Sequence, residues 1–236
     1  MRRLTAMLLA AATVTSGCVG DGGDQPILVM VPSSFNDITR EVDQRWDGEE
    51  IEWIIAGSTQ LVRQLDAGAD AAVLITADAT TMQTAVDAGL IERELGPVAT
   101  NRLVFAVAPD NPGAIDGLDD LTDPDRLIGV CAIEVPCGRL ADAAATALDL
   151  TVAADTEEPN VRSLALKIAR GELDGGLVYA TDASAFGLET IDDGALSGFI
   201  TEYATASVDG SSPGVVAFLR SEDGRRILAE HGFGAP

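Results

Sequence analysis

The sequence predicts an α/β protein of two lobes, with mainly parallel sheets covered by helices on both faces. Three observations carry this. Short apolar runs of strand length alternate with segments whose apolar residues recur at helical spacing, the pattern of parallel strands joined by crossover helices. Pro109, Asn111, Pro112 and Gly113 break the chain after a fourth strand, and a second alternating series begins there. The length of 236 residues suits one two-lobed domain or two small ones, with enough chain to bury a core.

The elements follow in order. "PILVMV" (26–31) is a buried-strand run, and Phe35, Ile38 and Val42 then recur at helical spacing. "IEWIIA" (51–56) is a second strand, followed by "GST" and a helix carrying Leu61, Val62 and Leu65. "AAVLITA" (71–77) is a third strand, with a helix over "TTMQTAVDAGL" that ends near Gly89. "RLVFAVAP" (102–109) is the fourth. In the second series "LIGVCA" (127–132) is a strand, the loop "IEVPCG" follows, and an Ala-rich helix runs to about Leu148. "PNVRSLALKIARGE" reads as a helix with Asn160 as its N-cap, because a short polar side chain there can accept from the first free backbone N–H groups. "GGLVYA" (175–180) is a strand entering "TDASAF", "GFITEYATASV" (198–208) returns extended, and "PGVVAFLRSEDGRRILAEHGF" closes as a helix.

Charge narrows the function. The formal net charge is −23, from 38 acidic and 15 basic residues. A nucleic-acid partner needs clustered Lys and Arg and is excluded, as is a polybasic membrane contact. The start of the chain carries a different message. "MRRLTAMLLAAATVTSGC" has a basic opening, a short apolar stretch to Val14 and small residues before Cys18, so residues 1–17 read as a signal peptide too short to span a bilayer. "TSGC" resembles a bacterial lipobox, which makes Cys18 the expected lipidation site and residues 18–25 a flexible tether. The expectation is an extracytoplasmic protein, held to a membrane by a lipid anchor. If the lipid takes Cys18, Cys131 and Cys137 remain; an even remainder in an oxidising compartment favours one disulfide, with two free thiols as the alternative.

The chemistry sits at strand-to-helix junctions. "PSS" precedes the first helix, "GST" the second, "VPCG" the helix after Cys137, "PN" the helix from Val161, and "YATD" the helix after Tyr179. A helix N-terminus presents unpaired N–H groups and about half a positive charge. In open α/β sheets these junctions line one crevice, so several together make an anion site without any basic side chain.

In that order, "VPSSFNDI", "GSTQLVRQLDAGADAAVLITAD", "NRLVFAVAP", "EVPCGRLADAA", "NVRSLALKIARGELDGGLVYATDA" and the final "GF" resemble the periplasmic molybdate-binding proteins of ABC importers. The likeness covers most of the chain from Ile27 to Phe233, and the pattern VRxxLxxIxxGExDxGxVYxTDA over Val161–Ala183 is its most specific block. Ala72 departs from it, standing where that family usually has Asp. The resemblance implies a type II periplasmic-binding-protein fold with a ligand cleft between lobes, lobe 1 over 26–106 and 205–236 and lobe 2 over 107–204. It implies ligand contacts by Ser34, Ser58 and Tyr179 through hydroxyls and by Cys137 and Val161 through backbone N–H, with Ser33 as a supporting neighbour. The implied ligand is molybdate or tungstate, with no cofactor and no metal cation. The implied partners are an ABC permease and its ATPase subunit, and the protein is expected to be a monomer. The alternative keeps the fold and changes the anion to sulfate, phosphate, a phosphonate or a small organic acid, for which Arg162 is the residue to watch.

An enzyme is not expected. The chain has no G-x-S-x-G elbow and no metal-ligand cluster, and its one histidine, His231, stands in the C-terminal "AEHGF".

Overall fold

The computed structural model describes residues 26–191, 194–211 and 214–236. The leader, Cys18 and the tether lie outside the described residues. β1 (Ile27–Pro32) lies between β2 (Ile51–Ala56) and β3 (Val73–Thr76), parallel to both. Their crossovers are α1 (Asn36–Arg45), α2 (Ser58–Asp66) and, after β3, α3 (Ala79–Asp87). The buried residues of each helix repeat three or four apart, as in Leu61, Val62 and Leu65 of α2, so each helix lays one stripe on the sheet.

β4 (Arg93–Val107) joins the lobes. Its first part, to Arg102, pairs antiparallel with β9 (Ile200–Ser207), which also borders β3; from Leu103 onward it pairs with β7 (Gly175–Tyr179). The second parallel group is β7, β5 (Ile128–Cys131) and β6 (Ala154–Glu158), crossed by α4 (Pro136–Ala147) and α5 (Val161–Ala169). A short α6 (Ala180–Ala185) follows β7, and β8 (Glu189–Ile191) adds to the edge of β4. The strand order is β2-β1-β3-β9-β4-β7-β5-β6, with β8 beside β4. Parallel groups therefore form each lobe, and antiparallel strands stitch them together. Among the described residues, no helix is long and apolar enough to cross a membrane.

Three features differ from the sequence reading. The fourth strand begins nine residues early, at Arg93 instead of Arg102, because Gly96 and Pro97 hide its first half. They are accommodated at register shifts between Glu94 and Gly96 and between Pro97 and Ala99, with Gly96 at φ 81°. β6 has the sequence "ADTEE", whose acidic, mostly exposed residues mark an edge strand and gave no apolar signal. The closing segment is two helices, α7 (Gly214–Arg220) and α8 (Glu222–Glu230), divided at Ser221. Ser221 takes an extended conformation and its side chain accepts from the Gly224 N–H, starting a new helix where a continuous one was expected.

The core beneath the cleft is aromatic. Phe35 stacks on Tyr203 with centroids 4.9 Å apart, and Phe233 meets Phe35 and Tyr203 edge-on at 5.1 and 5.4 Å. Phe233 lies past α8, and Gly234 bridges back to Thr100 of β4, so the chain end is pinned against the crossing strand.

Candidate functional site

The parallel strands all end at one edge, and the helices that follow begin there. β1 ends at Pro32, so Ser33 and Ser34 form a short 3-10 turn before α1. β2 ends at Ala56, and Ser58 is the first residue of α2 after an extended Gly57. From the other lobe, α4 opens with Pro136 and Cys137, and α5 opens with Val161 under an Asn160 cap whose carboxamide oxygen accepts from the Ser163 N–H at 2.9 Å. Pro136 suits the first turn, where its missing N–H would have had no partner.

These junctions surround a narrow cavity. Its walls are Pro32–Ser34, Gly57, Ser58 and Ala77 on one side and Val135–Cys137, Pro159–Val161 and Tyr179 on the other. All the positions expected as ligand contacts, Ser34, Ser58, Cys137, Val161 and Tyr179, line it together, and so does Ser33. No ionisable side chain other than the Tyr179 phenol is among the lining residues. The two lobes come close here: a methyl group on Gly57 would lie 3.1 Å from the Pro159 carbonyl oxygen.

The Ser58 and Tyr179 hydroxyls are free to donate into the cavity. Ser58 Oγ accepts from the Ala77 N–H at 3.0 Å, which leaves its own O–H for the cavity. Tyr179 is 1% exposed and its hydroxyl has no hydrogen-bond partner among the described residues, an unusual state for a buried phenol. Burial holds the Tyr179 phenol well above the ordinary tyrosine range, with Tyr203, Asp78 and Asp182 adding to it, so it is a neutral donor. Ser34 Oγ lies 2.7 Å from Tyr203 Oη. Helix geometry leaves the N–H groups of Cys137 and Val161 without intrahelical acceptors, and both open helices of at least nine residues.

A disulfide joins Cys131, the last residue of β5, to Cys137 in the first turn of α4, with Cα atoms 5.7 Å apart. The same turn is tight enough that a Cβ on Gly138 would fall 1.9 Å from the Ala132 carbonyl oxygen. Only a glycine fits there without moving the backbone that presents the Cys137 N–H.

Charged pairs flank the cavity without entering it. Arg162 of α5 makes a bidentate pair with Asp37 of α1, at 2.6 and 2.9 Å, and its guanidinium sits 4.9 Å from the centre of the Phe186 ring. Burial alone would raise Asp37; the Arg162 bonds and charge, with help from Asn36, hold it below the usual carboxylate range. On the other flank Arg139 of α4 reaches Asp78 at 2.8 Å and Thr81 at 2.6 Å, while Asp78 also caps α3 through the Thr81 N–H. Thr59 adds a third link, donating to the Glu134 carbonyl at 2.9 Å. Each ties a residue on one side of the cleft to one on the other. Arg162 is thus committed to Asp37 and is not a lining residue. His231 bonds Glu41 at 3.1 Å and links α8 to α1, away from the cavity.

A larger open groove of about 370 Å³ lies on the outer face of α4, β5 and β6. Its walls mix Ile133, Leu150 and Val152 with Asp142 and Glu157 and are not built from opposed helix openings, so the narrow cleft is the stronger candidate.

Comparison with known proteins bears on the family and the fold. The chain is 29% identical to the molybdate-binding protein ModA of Mycobacterium tuberculosis strain H37Rv, over 97% of each chain. The periplasmic molybdate-binding protein of Azotobacter vinelandii superposes with a TM-score of 0.73 at 15% identity, over 89% of this chain and 99% of that one. The sulfate-binding protein SubI of M. tuberculosis superposes equally well, with a TM-score of 0.73 at 14% identity, over 88% of this chain and 86% of that one. The description of bacterial extracellular solute-binding proteins matches residues 27–234, from the first residue of β1 to the bridge that pins the chain end, and the chain belongs to that family.

Proposed function

We propose that this protein is the extracytoplasmic substrate-binding component of an ABC importer, holding molybdate or tungstate between its lobes and delivering it to a permease and ATPase. One observation carries the reading: hydroxyls of Ser34, Ser58 and Tyr179 and the helix-opening N–H groups of Cys137 and Val161 meet in one narrow cavity with no lining cation. Such a site recognises a fully ionised oxyanion that only accepts hydrogen bonds. At a net charge of −23, long-range attraction cannot supply the affinity. Short bonds to the ion must do so, at about 1.5–3 kcal/mol each, and about six reach micromolar binding after the costs of desolvation and closure.

The alternative anions are weighed by the same geometry. A phosphate-type or organic-acid site draws on an arginine, and Arg162 is engaged with Asp37. Sulfate is the serious competitor, because the fold alone is shared with a sulfate-binding protein. Neutral donors held by two lobes discriminate by size, which favours the larger ions. We place the division between lobes on β4 and β9; the limits 106/107 and 204/205 both fall on these strands. The leader, the lipid anchor at Cys18 and a monomeric state complete the proposal.

Ion identity is tested by melting the protein with molybdate, tungstate, sulfate and phosphate. Binding to the native state alone adds about 2.7 kcal/mol at a hundredfold excess over Kd, or about 5–10 °C for a chain of this size. Molybdate and tungstate should give that rise and sulfate little. An equal response to sulfate at matched concentration ends the size-selective reading.

A further inference from the structure

We infer that Asn101 and Tyr203 act as a polar relay that fixes the Ser34 hydroxyl as a donor into the cleft. This rests on the reading of that cleft as an oxyanion site and names two residues, outside the cavity wall, that set its polarity.

The direction of each bond follows from the one before it. The Asn101 side chain is 3% exposed, and its oxygen accepts from the Arg102 N–H at 2.9 Å. That contact fixes the amide, so its nitrogen is the group facing inward. It donates to Thr181 Oγ1 at 2.8 Å and to Tyr203 Oη at 3.1 Å. Tyr203 is fully buried, and burial holds its phenol far above the range in which it ionises. Its proton therefore needs an acceptor, and the group beside it is Ser34 Oγ at 2.7 Å. Had Ser34 donated to Tyr203 instead, the tyrosine oxygen would receive two protons and its own would be stranded in the core. The favoured chain runs from the Asn101 amide to Tyr203, from Tyr203 to Ser34, and from Ser34 into the cavity.

The consequence is chemical. A serine hydroxyl can turn a lone pair or a proton toward a neighbour, and only the proton suits an anion. The relay removes that ambiguity before the ligand arrives, so no reorientation is needed on binding. Packing supports it, since Tyr203 is clamped between Phe35 and Phe233, and Phe35 is the residue next to Ser34. The same device appears in simpler form at Ser58, whose oxygen is occupied by the Ala77 N–H.

The test is a double-mutant cycle read by calorimetry with molybdate. Tyr203→Phe keeps the ring stack and removes the hydroxyl that links Asn101 to Ser34; Asn101→Leu removes the amide at similar volume. Each should weaken binding about threefold to tenfold in the wild-type background. In a Ser34→Ala background neither should cost more than about twofold further, because a residue that works through Ser34 has nothing left to act on. A general loosening of the core would lower affinity equally in both backgrounds, and that result overturns the relay, as does Tyr203→Phe binding like wild type. Melting temperatures without ligand identify any variant that fails to fold, and Tyr203→Phe stands as the decisive arm if Asn101→Leu does. Wild-type protein that bound none of the oxyanions would instead overturn the parent reading, and the relay with it.

Discussion

Tyr179→Phe should weaken molybdate binding by about ten- to a hundredfold and at the same time raise the melting temperature of the ligand-free protein. The first effect is the loss of a donor to a buried ion, about 1.5–3 kcal/mol. The second follows from the setting of the hydroxyl, which is buried with no protein partner among the described residues. Removing an unsatisfied polar group recovers part of its desolvation cost, about 1–3 kcal/mol, or about 2–10 °C here. Ser58→Ala makes the contrast. It should weaken binding on the same scale, yet lower the ligand-free melting temperature, because the Ala77 N–H loses its acceptor. Calorimetry and melting curves on the two variants check both signs. Two variants that shifted stability in the same direction would contradict the assignment of these hydroxyls as one idle and one braced.

Asp182 gives the second large effect. It lies in the first turn of α6, 1% exposed, with Oδ1 unpartnered among the described residues and Oδ2 3.4 Å from the Thr181 hydroxyl. Burial pushes its carboxyl from 3.8 up to about 7, with the Arg162 charge opposing and the Asp37 charge adding. The native state thus holds a proton that the unfolded chain releases. Its stabilising contribution is fully present below about 3.8, is lost as pH rises, and is gone above about 7. The difference is on the order of 4 kcal/mol across that window. Asp182→Asn should therefore melt several degrees above wild type at pH 8 and close to it at pH 4. A variant less stable than wild type at pH 8 would show that the ionised carboxylate has a partner that compensates its burial.

Much of this was legible before any coordinates. Alternating runs such as "VLIT" and the stripe of Leu61, Val62 and Leu65 are local signals, and local signals carry periodicity. The strand-to-helix junctions were legible for the same reason, while the choice of Ser34, Ser58, Cys137, Val161 and Tyr179 among their residues came from the family resemblance; all five line the cavity. What escaped was of two kinds. Gly96, Pro97 and the acidic "ADTEE" lack the composition of strands and are held by neighbouring strands that the local sequence cannot reveal. Tyr203 and Asn101 escaped because their roles come from bonds spanning 169 and 102 positions. Arg162 was singled out as a ligand candidate, and its actual partner, Asp37, is 125 positions away. A side chain's neighbourhood at that range is a property of topology, which no window of sequence contains.

The central claim is that the ion sits among neutral donors at the meeting point of the two lobes. A diffraction experiment on crystals grown with molybdate, using the anomalous signal of the metal, tests it most directly. The account predicts one strong peak in the cleft, its oxygens within hydrogen-bonding distance of the Ser34, Ser58 and Tyr179 hydroxyls and the Cys137 and Val161 N–H groups. A peak beside a basic side chain such as Arg162 or Arg139, or no peak in the cleft at all, would contradict it.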